Sequence, residues 1–299
     1  MAFGSEQWMY KQDSDDGIAW GGARGVFAGG GTASTIDYIT IQSTANAQDF
    51  GDLTESKTSI YGGASNGSRG VFPGGYAGGY SANIDYITIA STGDASDFGE
   101  LTRGKIQLAT STNGVRGITW GGQIVGGDTN TIDYFTIATT ANAQDFGDMS
   151  GTRWQCAPVG DATRACVAGG HDGSSESNII EYVTVASTGN TNNFGDVSAA
   201  FRGGGGASDA TRGVFLGGYP SNLTTIEFIT IQSAGNVTDF GDYSPSFESM
   251  SGCCDGVRGV YGGGDTTNII HYITMQSAGD SQDFGDLTVA RGVGACAGN

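Results

Sequence analysis

Six times along this chain the same phrase returns, and the recurrence constrains the fold more than any other feature. Ile36-Asp37-Tyr38-Ile39-Thr40-Ile41 is followed by Asp49-Phe50-Gly51-Asp52. The pair recurs at 84–89 with 97–100, 132–137 with 145–148, 180–185 with 193–196, 226–231 with 239–242 and 270–275 with 283–286. The repeated Phe stands at 50, 98, 146, 194, 240 and 284, giving periods of 48, 48, 48, 46 and 44 residues. Short alternating runs with glycine punctuation at such a period indicate an array of one supersecondary unit, radial or stacked.

Each unit reads as four strands. In the fifth repeat a small, glycine-rich strand at 203–208 turns at 209–211 into Arg212-Gly213-Val214-Phe215-Leu216-Gly217-Gly218. A variable loop leads to Thr225-Ile226-Glu227-Phe228-Ile229-Thr230-Ile231, whose apolar and polar residues alternate with the period of a strand. The polar turn at 232–238 precedes the fourth strand, which begins at Asp239. With no helical periodicity anywhere, the chain is expected to be all-β: a six-bladed β-propeller of four-stranded antiparallel blades. Gly, Ala, Ser and Cys in the first strand suit the crowded axis. The last stretch, 287–296, matches an inner strand and nothing more, so the C-terminal strand is expected to complete the first blade and close the ring, covering an open edge. A second register, with 17–22 as the inner strand, stays open. Residues 21–299 are assigned to the propeller and 1–20 to an N-terminal docking segment with Trp8, Met9 and Tyr10 before an acidic patch.

Composition narrows the function. Gly supplies 54 of 299 residues, well above the usual share of about 7%. No Gly-X-Y triplet is sustained, so this is not collagen. A formal charge of −18 opposes a nucleic-acid partner, whose phosphates it would repel. Of 13 cations, six open the second strand of each repeat (Arg24, Arg69, Arg116, Arg164, Arg212, Arg258) and six follow the Asp-Phe-Gly-Asp phrase (Lys57, Arg103, Lys105, Arg153, Arg202, Arg291). Such regular addresses lead us to expect each cation opposite a repeated carboxylate. The five cysteines lack metal-type spacing and are expected to be buried thiols, with vicinal Cys253-Cys254 the pair worth a redox test. The N-terminus lacks the cationic and apolar regions of a signal peptide, and no apolar run is long enough to span a membrane.

The hydrophobic run ending in a Gly-Gly doublet (29–30, 74–75, 121–122, 169–170, 217–218, 262–263), followed by Tyr in the next strand, resembles the kelch repeat. Phe replaces the usual fourth-strand Trp, so the likeness is architectural. The cadence R-G-V-F-x-G-G … I-D-Y-I-T-I … D-F-G-D, over residues 20–299, is similar to glycine-rich repeats in tail and other virion proteins of marine, particularly cyanobacterial, bacteriophages. The resemblance implies a non-enzymatic virion protein, tail-associated (fibre, adaptor or nozzle-type module) and assembled in a host cytoplasm, that contacts other virion proteins or a host-surface receptor or glycan. A capsid-decorating head protein and a glycan-binding propeller lectin are the alternatives.

Catalytic chemistry is sparse. Of two histidines, His271 fills the slot held elsewhere by Asp37, Asp85, Asp133, Glu181 and Glu227, and is expected on a strand's polar face. His171 sits in a variable loop, either solvated or touching a partner. The paired carboxylates of Asp-Phe-Gly-Asp recur too often for a catalytic pair and suit turn stabilisation, with calcium at an Asp-rich turn as the rival reading. No metal site or cofactor is expected, and no enzymatic activity.

The repeats also disagree in an informative way. The first-to-second and third-to-fourth turns are repetitive, whereas the second-to-third loops and the inter-blade connectors vary. Both variable sets emerge on one face of a propeller. Loops on a rigid scaffold carry binding residues disproportionately, and Tyr, Trp and Arg are common anchors. The candidate partner-binding residues are Tyr76, Tyr80, Trp154, His171, Phe201, Tyr219 and Phe247. Unselected drift of these loops is the competing explanation.

Overall fold

A computed structural model describes residues 24–30, 34–220, 223–245, 247–264, 267–291 and 295–298, the last four by backbone only. The docking segment 1–20, with Trp8, Met9 and Tyr10, and the rival strand 17–22 lie outside the described residues.

Six four-stranded antiparallel sheets form a β-propeller. The second blade runs outward from the axis through Ala64–Ser65, Arg69–Pro73, Asn83–Thr88 and Ser96–Glu100, and the third through Ala109–Thr112, Arg116–Trp120, Thr131–Thr136 and Gln144–Asp148. The fourth comprises Ala157–Gly160, Arg164–Ala168, Ser177–Thr184 and Asn192–Phe201, and the fifth Gly205–Ser208, Arg212–Leu216, Thr225–Thr230 and Thr238–Asp242. The sixth comprises Ser251–Cys254, Arg258–Gly262, Thr267–Thr274 and Gln282–Arg291. In the first blade Arg24–Ala28, Thr35–Thr40 and Gln48–Asp52 take Ala295–Gly298 as their innermost strand, with Cys296 opposite Phe27. That strand touches the innermost strands of both the sixth and the second blades, so the ring is closed by the C-terminal strand.

The repeated phrases lock neighbouring blades together. Each Asp-Phe-Gly-Asp glycine carries a positive φ (+145° at Gly51, +148° at Gly147). A Cβ on Gly51 would lie 2.5 Å from the Gly93 carbonyl oxygen in the next blade's third-to-fourth turn. Only glycine lets the two backbones meet here. The approach allows Gly93 N–H to donate to the Phe50 carbonyl (2.7 Å) and Ala95 N–H to the Asp52 carbonyl (2.7 Å), while Asp94 Oδ1 accepts from Asp52 N–H (3.1 Å). At the closing seam Ala47 N–H donates to the Asp286 carbonyl and Asn46 Oδ1 accepts from Asp286 N–H. The phrase is thus an inter-blade clasp.

The arginines that open the second strands do not face carboxylates, contrary to expectation. Arg24 lies over the Tyr38 ring, 4.6 Å from its centroid, and donates to the Ile89 carbonyl of the next blade at 2.9 Å. Arg258 repeats this over Tyr272 and onto Ile41, across the closure. The repeated Phe supplies the other half of the stack, Phe50 meeting Tyr38 edge-on with centroids 6.0 Å apart. A backbone carbonyl and an aromatic face satisfy the guanidinium without spending a carboxylate.

Five of the second cation series find carboxylates, while Arg103, exposed, is in none of the ion pairs of the described residues. Counting seven residues from each repeated Phe gives Lys57, Lys105, Arg153, Phe201, Phe247 and Arg291. Lys57 lies 2.9 Å from Asp85, Lys105 2.8 Å from Asp133 and Arg291 2.7 Å from Asp37, all essentially buried, and Arg153 pairs with Glu181. These carboxylates occupy the alternating polar positions of the third strand, which a propeller buries because each sheet is sandwiched on both faces. At two junctions the cation gives way to Phe. There Glu227 accepts from Ser198 N–H, and His271 packs against the rings of Phe247 and Tyr243, with centroids 6.1 and 6.3 Å away. His271 lies in the third strand at the polar position, as expected, but that position is only 4% exposed, so it is a core imidazole in a carboxylate slot.

Candidate functional site

The variable face is built on a backbone frame. Four connectors between blades exchange paired hydrogen bonds with the residue after the next Gly-Gly doublet: Thr58 with Tyr76 (3.0 and 2.7 Å), Ile106 with Gln123 (3.0 and 2.9 Å), Trp154 with His171 (3.1 and 3.0 Å) and Arg202 with Tyr219 (3.1 and 2.8 Å). One residue further on, the chain takes a left-handed turn at Ser59, Gln107, Gln155, Gly203 and Ser249, with φ between 55° and 68°. These residues chain around the axis: Gln107 N–H donates to Ser59 O, Gln155 to Gln107, Gly203 to Gln155 and Ser249 to Gly203. Inside this collar Gln155 Nε2 donates to the Tyr61 hydroxyl, which lies 3.1 Å from Ser249 Oγ. Burial holds the Tyr61 phenol above its ordinary value. The channel below is lined by small and polar residues, among them Ser65, Thr112, Gly160 and Ser208.

Onto this repeated frame the chain hangs unlike side chains, and three of the expected binding residues converge. The Arg202 guanidinium lies 4.0 Å from the Tyr219 ring centroid and 5.5 Å from that of Trp154, and Nη1 donates to Glu176 Oε1 at 2.7 Å. Trp154 stacks in turn on His171, with centroids 4.9 Å apart and planes tilted by 39°. His171 Nδ1 accepts from Gly173 N–H, which leaves Nε2 to carry the proton towards Glu176, 4.0 Å away. Asp172 caps its loop by accepting from Ser174 and Ser175 N–H, and those bonds hold its carboxyl below the usual carboxylate range. A Cβ on Gly173 would come 2.9 Å from Asp128 Oδ2, so the third blade's hairpin adjoins this cluster. Tyr76 and Tyr80 form a separate edge-on pair, 6.2 Å between centroids.

Two expected residues are placed differently. Phe201 is 3% exposed and fills the cation slot in the blade core, which removes it from the face. It displaces the cation by one residue, so Arg202 turns outward into the cluster instead of inward to Glu227. Phe247 is half-buried against His271 and the core of the fifth and sixth blades. Arg202 and Glu176 were the members that residue type alone did not single out as a pair. The signal for Arg202 is positional: it stands eight residues after Phe194, where Lys57, Lys105, Arg153 and Arg291 of the same series stand seven after theirs.

No family model and no curated protein compared with this chain matches it. Among the described residues no group of three or more His, Cys, Asp or Glu is arranged to hold a metal ion. No helix among them is long and apolar enough to cross a membrane.

Proposed function

We propose that this chain is a virion protein that works by binding rather than by catalysis, tail-associated, using its variable face to grip another virion protein or a host-surface component. The single observation that carries the binding part is the contrast between the two ends of the ring. One end repeats the same blade-to-blade clasp, while the other holds a uniform backbone frame that displays a different residue pair at each described position. A frame that keeps its hydrogen bonds while changing its side chains suits recognition, because the scaffold stays rigid whatever the loop presents. The Tyr, Trp and Arg content of the cluster agrees with the residue types that anchor interfaces. The virion setting rests on the repeat cadence alone.

Two measurements test this reading. Mass spectrometry of purified particles should contain the protein, and labelling should place it on the tail. Replacing Tyr76, Tyr80, Trp154 and Tyr219 together by Ala should abolish partner binding while the protein keeps its fold. Particles lacking the protein would reject the virion setting. Unaltered binding by the folded variant would reject the variable face as the contact surface.

A further inference from the structure

Resting on the binding reading, we propose that the variable face takes one basic protein segment per ring, seated on the arc that runs from Asp128 through His171 and Glu176 to Tyr219.

The stoichiometry follows from the frame. A ligand bound once per blade, such as a repeated sugar, needs like chemistry at equivalent positions. The four described frame pairs are Thr58 with Tyr76, Ile106 with Gln123, Trp154 with His171 and Arg202 with Tyr219. All four pairs differ, Tyr recurring at 76 and 219 but beside Thr in one and Arg in the other, although the backbone beneath them is the same. The backbone clasp is repeated where blades touch each other, whereas the described frame positions differ where the ring meets the outside. A surface without internal symmetry meets its partner in one orientation.

The sign of the partner follows from charge. Along this arc Asp128, Asp172 and Glu176 supply three carboxylates, and Arg202 is the single guanidinium set among them. Glu176 is already engaged by Arg202, which leaves the Asp128 and Asp172 carboxylates, on a chain of formal charge −18, without a cationic partner among the ion pairs of the described residues. Their hydrogen bonds come from neutral donors, Gln123 Nε2 and the backbone of 174–175. Beside them stand apolar anchors: Val125 is 80% exposed and Tyr219 37%. A segment alternating Lys or Arg with aliphatic residues meets both features, whereas an acidic segment meets repulsion.

The test uses the full chain and a fluorescein-labelled peptide alternating Arg and Leu, with a Glu-for-Arg peptide as counterpart. Anisotropy and native mass spectrometry should find one basic peptide per ring and no binding of the acidic one. The triple variant Asp128→Asn, Asp172→Asn, Glu176→Gln keeps every hydrogen-bond acceptor and should weaken binding at least about tenfold, the equivalent of 1.4 kcal/mol. A charge-matched control, Asp94→Asn, Asp145→Asn, Asp280→Asn, places Asn where other blades already carry Asn142, Asn193 and Asn46, and should leave affinity unchanged. Tyr219→Ala gives a second, exposed probe of the arc and should also weaken binding. Equal losses from the two triple variants would overturn the proposal, since attraction would then come from net charge alone. Several peptides per ring, binding of the acidic peptide, or no binding of the basic one would overturn it too. Absence of the protein from purified particles would remove the virion setting and leave this outcome standing.

Discussion

Arg291 Nη2 lies 2.7 Å from Asp37 Oδ2, joining two buried side chains from opposite ends of the described chain. Arg291 also donates to the carbonyls of Phe27, Gly29 and Thr35, and Thr288 Oγ1 donates to the other Asp37 oxygen at 2.5 Å. The closing seam therefore uses the same bolt as the junctions marked by Lys57–Asp85 and Lys105–Asp133. Burial lowers the proton affinity of the Arg291 guanidinium and of the Lys105 ammonium, and the facing carboxylate works against that effect.

Removing one member of such a pair strands a buried charge, which costs about 3–5 kcal/mol. Arg291→Met is expected to lower stability by that amount in urea unfolding. The double variant Arg291→Met, Asp37→Leu should recover most of the loss, because no uncompensated charge remains. A double variant as unstable as the single one would mean that the carbonyl contacts, not the ion pair, hold the seam.

The clasp predicts a sharp difference between two glycines that face each other. Gly51→Ala would push a Cβ to 2.5 Å from the Gly93 carbonyl at a φ of +145°. Backbone strain of this kind costs about 1–3 kcal/mol, and the collision adds to it. Gly93→Ala carries the same backbone strain at a φ of +152° but meets nothing within 4 Å, and Ala45 and Ala141 occupy its place in other blades. Thermal melts should show a larger loss for the first substitution than for the second, the difference being the collision.

The blades were legible because a strand alternates with period two and the turns carry glycine, so the same pattern read six times left little freedom. Ring closure was legible from a single strand left over at the C-terminus. What a strand meets across a blade interface was not, since alternation fixes facing within a sheet and says nothing of the neighbouring sheet. Regular spacing therefore suggests carboxylates for Arg24 and its equivalents, whereas carbonyls and rings receive them. The polar phase of the third strand, which holds Asp37 and His271, is readable from alternation, but alternation does not say that it faces another blade rather than water. The variable face was visible as the positions where repeats disagree, but the one-residue displacement that buries Phe201 and exposes Arg202 needed the offset from the repeated Phe.

His271 makes the junction of the fifth and sixth blades sensitive to acid. Burial holds its imidazole below the ordinary value of 6.5, with Asp283 opposing the shift. Between 6.5 and the lowered folded value the unfolded chain takes up a proton that the folded chain refuses. Stability from this site is complete above pH 6.5, falls as the pH drops below it, and levels off once the folded imidazole titrates. His271→Leu should flatten that part of the stability profile. His271→Asp should destabilise at neutral pH, for lack of a cation, and adding Phe247→Lys should restore the ion pair used elsewhere in the ring. Calorimetry across pH 5–8 on these variants checks both expectations, since unperturbed His is the side chain that titrates in that range.

The cysteines supply the last expectation. Burial pushes the Cys156 thiol up to about 11 and the Cys166 thiol up to about 12, so neither forms the reactive thiolate near neutral pH. Alkylation of the folded protein at pH 8, a condition in which an ordinary thiol of pKa about 8.5 reacts readily, should leave both unmodified in peptide mass spectra. The vicinal pair is barred from bridging by geometry. Cys253 points towards Gly25 of the first blade, where a Cβ would come 2.7 Å from its sulfur, whereas Cys254 Sγ accepts from Gly256 N–H at 3.1 Å. Successive residues of a strand face opposite ways, so the two sulfurs diverge. Diamide treatment of the folded protein is expected to give no Cys253–Cys254 disulfide, and a mass loss of two hydrogens on that peptide would show that this inner strand departs from the geometry described.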